Sequence, residues 1–167
     1  MNLETERLII SEISLEDAPF FYELVNDPAW IQFIGDRDVK TITDAENYLR
    51  NKIIPSYKKN GFGFYLVSTK IKNRPIGISG LIDRDGLDNV DVGYAFLPEF
   101  RGKGYAFEAT KAILTFAKND LHIDPIVAIT NLDNLKSCQL LERLGLKFDK
   151  IIQLADDPVK SRLYRTV

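Results

Sequence analysis

The sequence predicts an α/β fold of the α+β kind: a mixed, mostly antiparallel central sheet of about seven strands with helices on both faces. Three observations lead there. Three strand-like segments follow one another between residues 62 and 97, joined by turns that permit only antiparallel neighbours. Strand–helix–strand alternation then takes over, which adds crossover connections and makes the sheet mixed. The chain has 167 residues, 45% of them hydrophobic, enough for one core without disulfides or a structural metal.

Each element has its own signal. Leu8–Glu12 is β-branched and apolar enough for a strand. Ser14-Leu-Glu-Asp17 reads as a capping box with Asp in the place of Glu. The helix behind it runs to Asn26, and Pro28 prevents its continuation. Trp30 to Ile42 is irregular, with an aromatic pair, Trp30 and Phe33, and a charged loop, Asp36–Asp38. A second capping box, Thr43-Asp-Ala-Glu46, opens a helix whose Ala45, Tyr48, Leu49, Ile53 and Tyr57 recur at helical spacing. Asn60-Gly61 stops it.

Strands are expected at Phe62–Thr69, Ile76–Asp83 and Val90–Leu97, with turn residues at Lys72–Pro75 and Asp83–Gly86. A helix from Tyr105 to Leu121 buries Ala109, Ala112, Ile113, Phe116 and Ala117. Ile126–Thr130 is a short apolar strand, and Asn134–Leu144 a helix closed by Gly145. Two strands, Leu146–Leu154 and Ser161–Val167, finish the chain. No repeat or linker divides it, so residues 1–167 read as a single domain.

Composition excludes several functions. The net charge of −2 disfavours a nucleic-acid module. Cys138 and His122 each stand alone, so no disulfide framework or Cys/His zinc site can form. A Cys138–His122 catalytic pair stays formally open, although a lone buried Cys is more often a small core hydrophobe. No apolar run approaches the ~20 residues a membrane span needs. The N-terminus carries Glu4 and Glu6 and has no apolar signal-peptide core, so a cytoplasmic location is the default expectation.

The chemically informative segment is Val92-Gly-Tyr-Ala-Phe-Leu-Pro-Glu-Phe-Arg-Gly-Lys-Gly-Tyr-Ala106. A strand ends, a basic glycine loop follows, and a helix begins at once. The first helical turn has free N–H groups and the positive end of a dipole. Gly102 and Gly104 allow close backbone approach, and Arg101 and Lys103 add charge, which together suit a pyrophosphate. A Gly-rich turn that merely enters a helix is the plainer alternative. The loop is not a Walker A motif, and Phe107 stands where a third Rossmann glycine belongs.

Arg101-Gly-Lys-Gly-Tyr-Ala106 resembles the acetyl-CoA loop of the GNAT N-acetyltransferase superfamily. Val92–Pro98, Glu108-Ala109, Thr130–Ser137, Leu140–Gly145, Glu6-Arg-Leu8 and Glu16-Asp-Ala18 are similar to its RimJ/RimL-type branch. The resemblance implies the GNAT fold and acetyl transfer from acetyl-CoA, without a metal, to a primary amine. The acceptor is either a protein N-terminal α-amine or a small amine, with amino-sugars, polyamines and antibiotics all in range. It implies a monomer or homodimer with no nucleic-acid or membrane partner.

Residue by residue, the resemblance implies that Phe96 and Leu97 offer backbone groups to pantetheine. The amides of Arg101, Gly102, Lys103, Gly104, Tyr105 and Ala106 would hold the pyrophosphate. Asn134 would bond the cofactor arm, and Ser137 would protonate the leaving thiolate. Asn131, Asp133 or Asn134 would equally serve as a plain helix cap. Asp91 is the first choice of general base and Glu12 the second, each also readable as a surface carboxylate. Trp30, Phe33 and Tyr22 are candidates for the acceptor wall or for the core. Tyr164 is not assigned a role. The competing readings are a non-catalytic acyl-CoA-binding or regulatory module and an unrelated α/β nucleotide-binding protein.

Overall fold

The computed structural model describes all 167 residues. Eight strands form one sheet: β1 (Asn2–Glu4), β2 (Leu8–Glu12), β3 (Phe64–Thr69), β4 (Pro75–Ile82), β5 (Asp91–Phe96), β6 (Val127–Asn131), β7 (Lys147–Ile152) and β8 (Ser161–Arg165). Their spatial order is β1-β2-β3-β4-β5-β6-β8-β7. All neighbours are antiparallel except β5 and β6, which are parallel. The strand beyond the expected seven is β1, three residues that carry too little alternation to read but pair Leu3 opposite Ile10.

Helices cover both faces, as the pattern requires. They are α1 (Ala18–Val25), α2 (Pro28–Phe33), α3 (Ile42–Tyr48), α4 (Ile54–Asn60), α5 (Tyr105–Asn119) and α6 (Leu135–Arg143). Alternation along β3 splits the core. Tyr65 and Val67 join Ala109, Ile113 and Ala117 of α5 on one face, and Leu66 joins Phe21, Trp30 and Leu49 on the other.

Two helical expectations need correction. Pro28 ends α1 but does not begin an irregular stretch. It is the first residue of α2, where its missing N–H is harmless, and Trp30–Phe33 is helical. Asp27 caps that helix, accepting from the amides of Ala29 and Trp30. The second capping box is Thr41 with Asp44, not Thr43 with Glu46. Asp44 N donates to Thr41 Oγ1 and the Asp44 carboxylate accepts from Thr41 N, so the helix starts at Ile42. The single helix expected behind it is interrupted by a wide π turn over Leu49–Ile53. Pro55 lacks the N–H that a continuous α-helix would need there.

The sheet opens at its parallel junction. β5 pairs with β4 along its whole length, from Asp91 opposite Ile82 to Phe96 opposite Gly77. Against β6 only Asp91 and Val127 are in register, fixed by Val127 N donating to Val90 O. Beyond that point the strands part. Leu97 N donates to Ile76 O, so alternation turns the odd-numbered residues of β5 toward β4. Val92 N–H closes the bridge to β6 and Phe96 O accepts from Arg101 Nε, so the groups left facing the opening are the C=O of Val92, the N–H and C=O of Tyr94 and the N–H of Phe96.

Candidate active site

The glycine loop stands at the wide end of this opening. Gly102 and Gly104 have φ of +73° and +83°, the left-handed region that a side chain disfavours. A Cβ on Gly104 would also come within 3.2 Å of Arg7 Nη2. The first helical bond of α5 is Glu108 N to Gly104 O, so the N–H groups of residues 102–107 have no acceptor within the protein. Six unpaired donors at the positive end of a 15-residue helix form a cradle for an anion.

The cradle is fixed from below by the turn between β1 and β2. Arg7 Nε pairs with Glu108 Oε2 at 2.7 Å, Nη1 donates to Lys103 O, and the guanidinium lies 4.4 Å from the Tyr105 ring centre. Glu108 also accepts from Thr5 Oγ1 and the Arg7 amide. Burial acts to raise the Glu108 pKa, but these bonds outweigh it and hold the carboxyl below its ordinary range.

A cleft of about 550 Å³ runs from this loop along the opening between β5 and β6. Ser137 and Tyr94 meet in it, their hydroxyls 2.8 Å apart. Burial pushes the Tyr94 phenol up to about 12, so it stays protonated at neutral pH. Tyr94 escaped the sequence reading because a tyrosine within a strand gives no sign of which side it faces. Asn134 does cap α6, its Oδ1 accepting from Ser137 N. Its side-chain amide has no acceptor in the protein, so both readings of Asn134 survive: it anchors the helix and keeps two N–H donors for the cleft.

Asp91 sits at the closed end, where β5 meets β6. It is 1% exposed, its Oδ2 accepts from Arg84 Nε at 2.9 Å, and Oδ1 has no partner. Burial raises the carboxyl to about 6, against the opposing pull of Arg84. Asp91 and Arg84 both line the cleft there, the carboxylate almost wholly buried and the guanidinium beside it the more exposed of the two. Glu12 lies outside the cleft lining, half exposed and paired with the Met1 amine.

Three further expectations change. Leu97 is buried and its N–H bonds β4, so of the expected pair only Phe96 faces the opening. Arg101 does not extend into the anion cradle. Its N–H donates to Pro98 O, Nε donates to Phe96 O, and Nη2 pairs with Asp27 at 2.5 Å. Lys103 lies over the Phe100 ring. Trp30 and Phe33 both line the cleft, although Trp30 is 7% exposed and also belongs to the core, edge-on to Phe21. Tyr22 packs against that core outside the cleft lining. Tyr164 is buried and donates to Glu142, Cys138 is buried in the core, and His122 is exposed after α5. No group of three His, Cys, Asp or Glu side chains converges to hold a metal, and no helix is long and apolar enough to cross a membrane.

A sheet that splays at its one parallel junction, with a glycine loop and a helix N-terminus at the mouth, is an acyltransferase scaffold. Residues 7–147 match the family model of the acetyltransferase (GNAT) domain, and the chain belongs to that family of N-acetyltransferases. It is 25% identical over 147 residues to YnaD of Bacillus subtilis, described as an uncharacterized N-acetyltransferase, covering 88% of this chain and 83% of that protein. Its fold superposes with a TM-score of 0.84 on an acetyltransferase from Agrobacterium tumefaciens, at 22% identity, covering 100% of this chain and 94% of the other. The TM-score is 0.86 with RimL, the ribosomal L7/L12 α-N-protein acetyltransferase, in complex with coenzyme A, at 16% identity over 100% and 98% of the two chains.

Proposed function

We propose that this acyltransferase moves an acetyl group from acetyl-CoA directly to a primary amine, either a protein N-terminal α-amine or a small molecule. The observation that carries the reading is the continuity of one cleft. Free amides of residues 102–107 stand at its mouth, the free Val92 C=O, Tyr94 N–H and C=O and Phe96 N–H line its length, and the Tyr94–Ser137 hydroxyl pair lies within it. The amides fit a pyrophosphate and the strand groups fit the two peptide-like units of a pantetheine arm. The thioester supplies an activated acyl carbon and a thiolate leaving group.

The residues divide the work. Strand N–H groups facing the opening polarise the carbonyl on which charge develops. As the C–N bond forms and the C–S bond breaks, Ser137 donates its proton to the departing sulfur, and the proton released by the amine returns to Ser137 through the Tyr94 hydroxyl, which starts and ends protonated. Asn134 directs its free side-chain N–H toward the arm. The amine must be neutral to attack. An α-amine of pKa about 7.7–8.0 meets that condition far more readily than a lysine near 10.4. Asp91 acts on the acceptor at one remove, through Arg84.

Thermal unfolding with acetyl-CoA, CoA and ATP in parallel tests the donor. A ligand at 100 times its Kd stabilises by about 2.7 kcal/mol, a shift of several degrees for a domain of this size. Both CoA species are expected to raise the midpoint and ATP to leave it unmoved. A larger shift with ATP overturns the assignment.

A further inference from the structure

Charge in the cleft is one-sided. Arg37, Arg84, Arg101 and Lys136 line it, but the only carboxylates are those of Asp27 and Asp91. Both are already paired, Asp27 with Arg101 and Asp91 with Arg84. No free acid remains in the lining to receive a second positive charge. Arg37 is exposed, and the acids beside it, Asp36 and Asp38, turn to Lys40 instead.

Arg84 is the best placed of these cations. Its Nε is held by Asp91, whose side chain is 2% exposed, and this fixes the plane of the guanidinium. That bond to Asp91 uses Nε alone, which leaves two Nη groups for a ligand. The Arg84 side chain keeps 32% of its surface exposed. Its position separates it from the donor phosphates. Asp91 is at the closed end of the opening and the glycine loop follows Phe96 at the other. The strand between them spans about 17 Å at ~3.4 Å per residue. The lining of this cleft is otherwise largely apolar, with Phe64 and Ile82 as well as Trp30 and Phe33.

We infer that Arg84 receives a carboxylate on the amine acceptor, which makes the acceptor an amino-acid-like molecule: a primary amine with a nearby carboxylate and an apolar side chain. Polyamines are excluded because no carboxylate in the cleft is free to meet their second charge. The inference rests on the transferase reading. Its physical basis is that a planar guanidinium pre-set by one carboxylate offers a matched pair of N–H groups to another.

The test measures CoA thiol release from acetyl-CoA with L-phenylalanine, L-phenylalaninamide and spermidine as acceptors. The amide has the less basic amine, so more of it is reactive at neutral pH, which biases the comparison against the expected result. Phenylalanine should nonetheless exceed the amide by roughly 10-fold or more in kcat/KM, the range of a charge-assisted hydrogen bond. Spermidine should be poorest. Arg84→Met should bring the phenylalanine-to-amide ratio close to one while leaving the thermal shift with CoA intact, and Arg84→Lys should restore part of the ratio. Equal rates with phenylalanine and its amide in the wild type, or a preference for spermidine, overturn the inference alone, whatever the variants do. Binding of CoA without thiol release to any amine overturns the transferase reading together with it.

Discussion

Replacing Asp91 by Asn changes how stability depends on pH. Burial raises the Asp91 carboxyl from 3.8 to about 6, and Arg84 offsets only part of that effect. In the unfolded chain the group returns to its ordinary value. The folded state therefore binds this proton more tightly, and the ionised carboxylate opposes folding at neutral pH. The difference of some two units corresponds to about 3 kcal/mol. The penalty is fully present above the folded pKa and is relieved as pH falls from about 6 toward 4, with about half gone near pH 5. Asn cannot titrate. Between pH 7.5 and 5 the wild type should therefore gain about half of that 3 kcal/mol relative to Asp91→Asn. The variant also leaves Arg84 without its charged partner, but that offset does not vary across this range. Urea unfolding of both proteins at pH 5, 6 and 7.5 reads the difference directly. Parallel stability curves across that range would show that Asp91 is not a buried carboxylate of raised pKa, and the account of the closed end would fail.

Four other outcomes follow from the same geometry. Gly104→Glu places a charged side chain at a φ of +83° in the anion cradle, and the CoA-induced thermal shift should vanish in a folded variant. Ser137→Ala should lower kcat roughly 100-fold, the lower range for loss of a proton donor, with the CoA thermal shift retained. Tyr94→Phe should reduce kcat in the same direction and by less, and wild-type turnover in both would remove the hydroxyl pair from the mechanism. Glu108→Gln should alter the acid limb of stability. The folded Glu108 carboxyl lies below its ordinary value, so its contribution is present above that value and lost as pH falls through the folded pKa. Acid titration of circular dichroism should show a less stable variant at neutral pH that converges on the wild type at low pH.

The glycine loop and the sheet's meander were legible because their signals are local. Gly102 and Gly104 before an apolar helical repeat mark a left-handed loop that opens into a helix without tertiary information, and the turns at Lys72–Pro75 and Asp83–Gly86 permit only antiparallel neighbours. What was missed depends on packing or on facing. Pro28 reads as a stop, and only Asp27's bonds to Ala29 and Trp30 show that it is also a start. Thr43 with Glu46 reads as the capping box, and only the reciprocal bonds between Thr41 and Asp44 show that the helix starts earlier, at Ile42. Arg101 reads as a phosphate ligand by charge alone, whereas Asp27, 74 residues away in sequence, draws its guanidinium elsewhere. Tyr94 enters the site through a one-residue alternation that no composition reveals, and Arg84 through its bond to Asp91 across the β4–β5 turn.

The central claim is direct acetyl transfer through the β5–β6 opening. Its most direct test incubates the protein with acetyl-CoA and amine acceptors, and follows free thiol and N-acetylated product together by mass spectrometry. The account predicts that thiol and acetylated amine appear one for one, and that Gly104→Glu abolishes both. Acetyl-CoA that binds and is never turned over with any amine, or is hydrolysed to acetate without an acetylated amine, would contradict it.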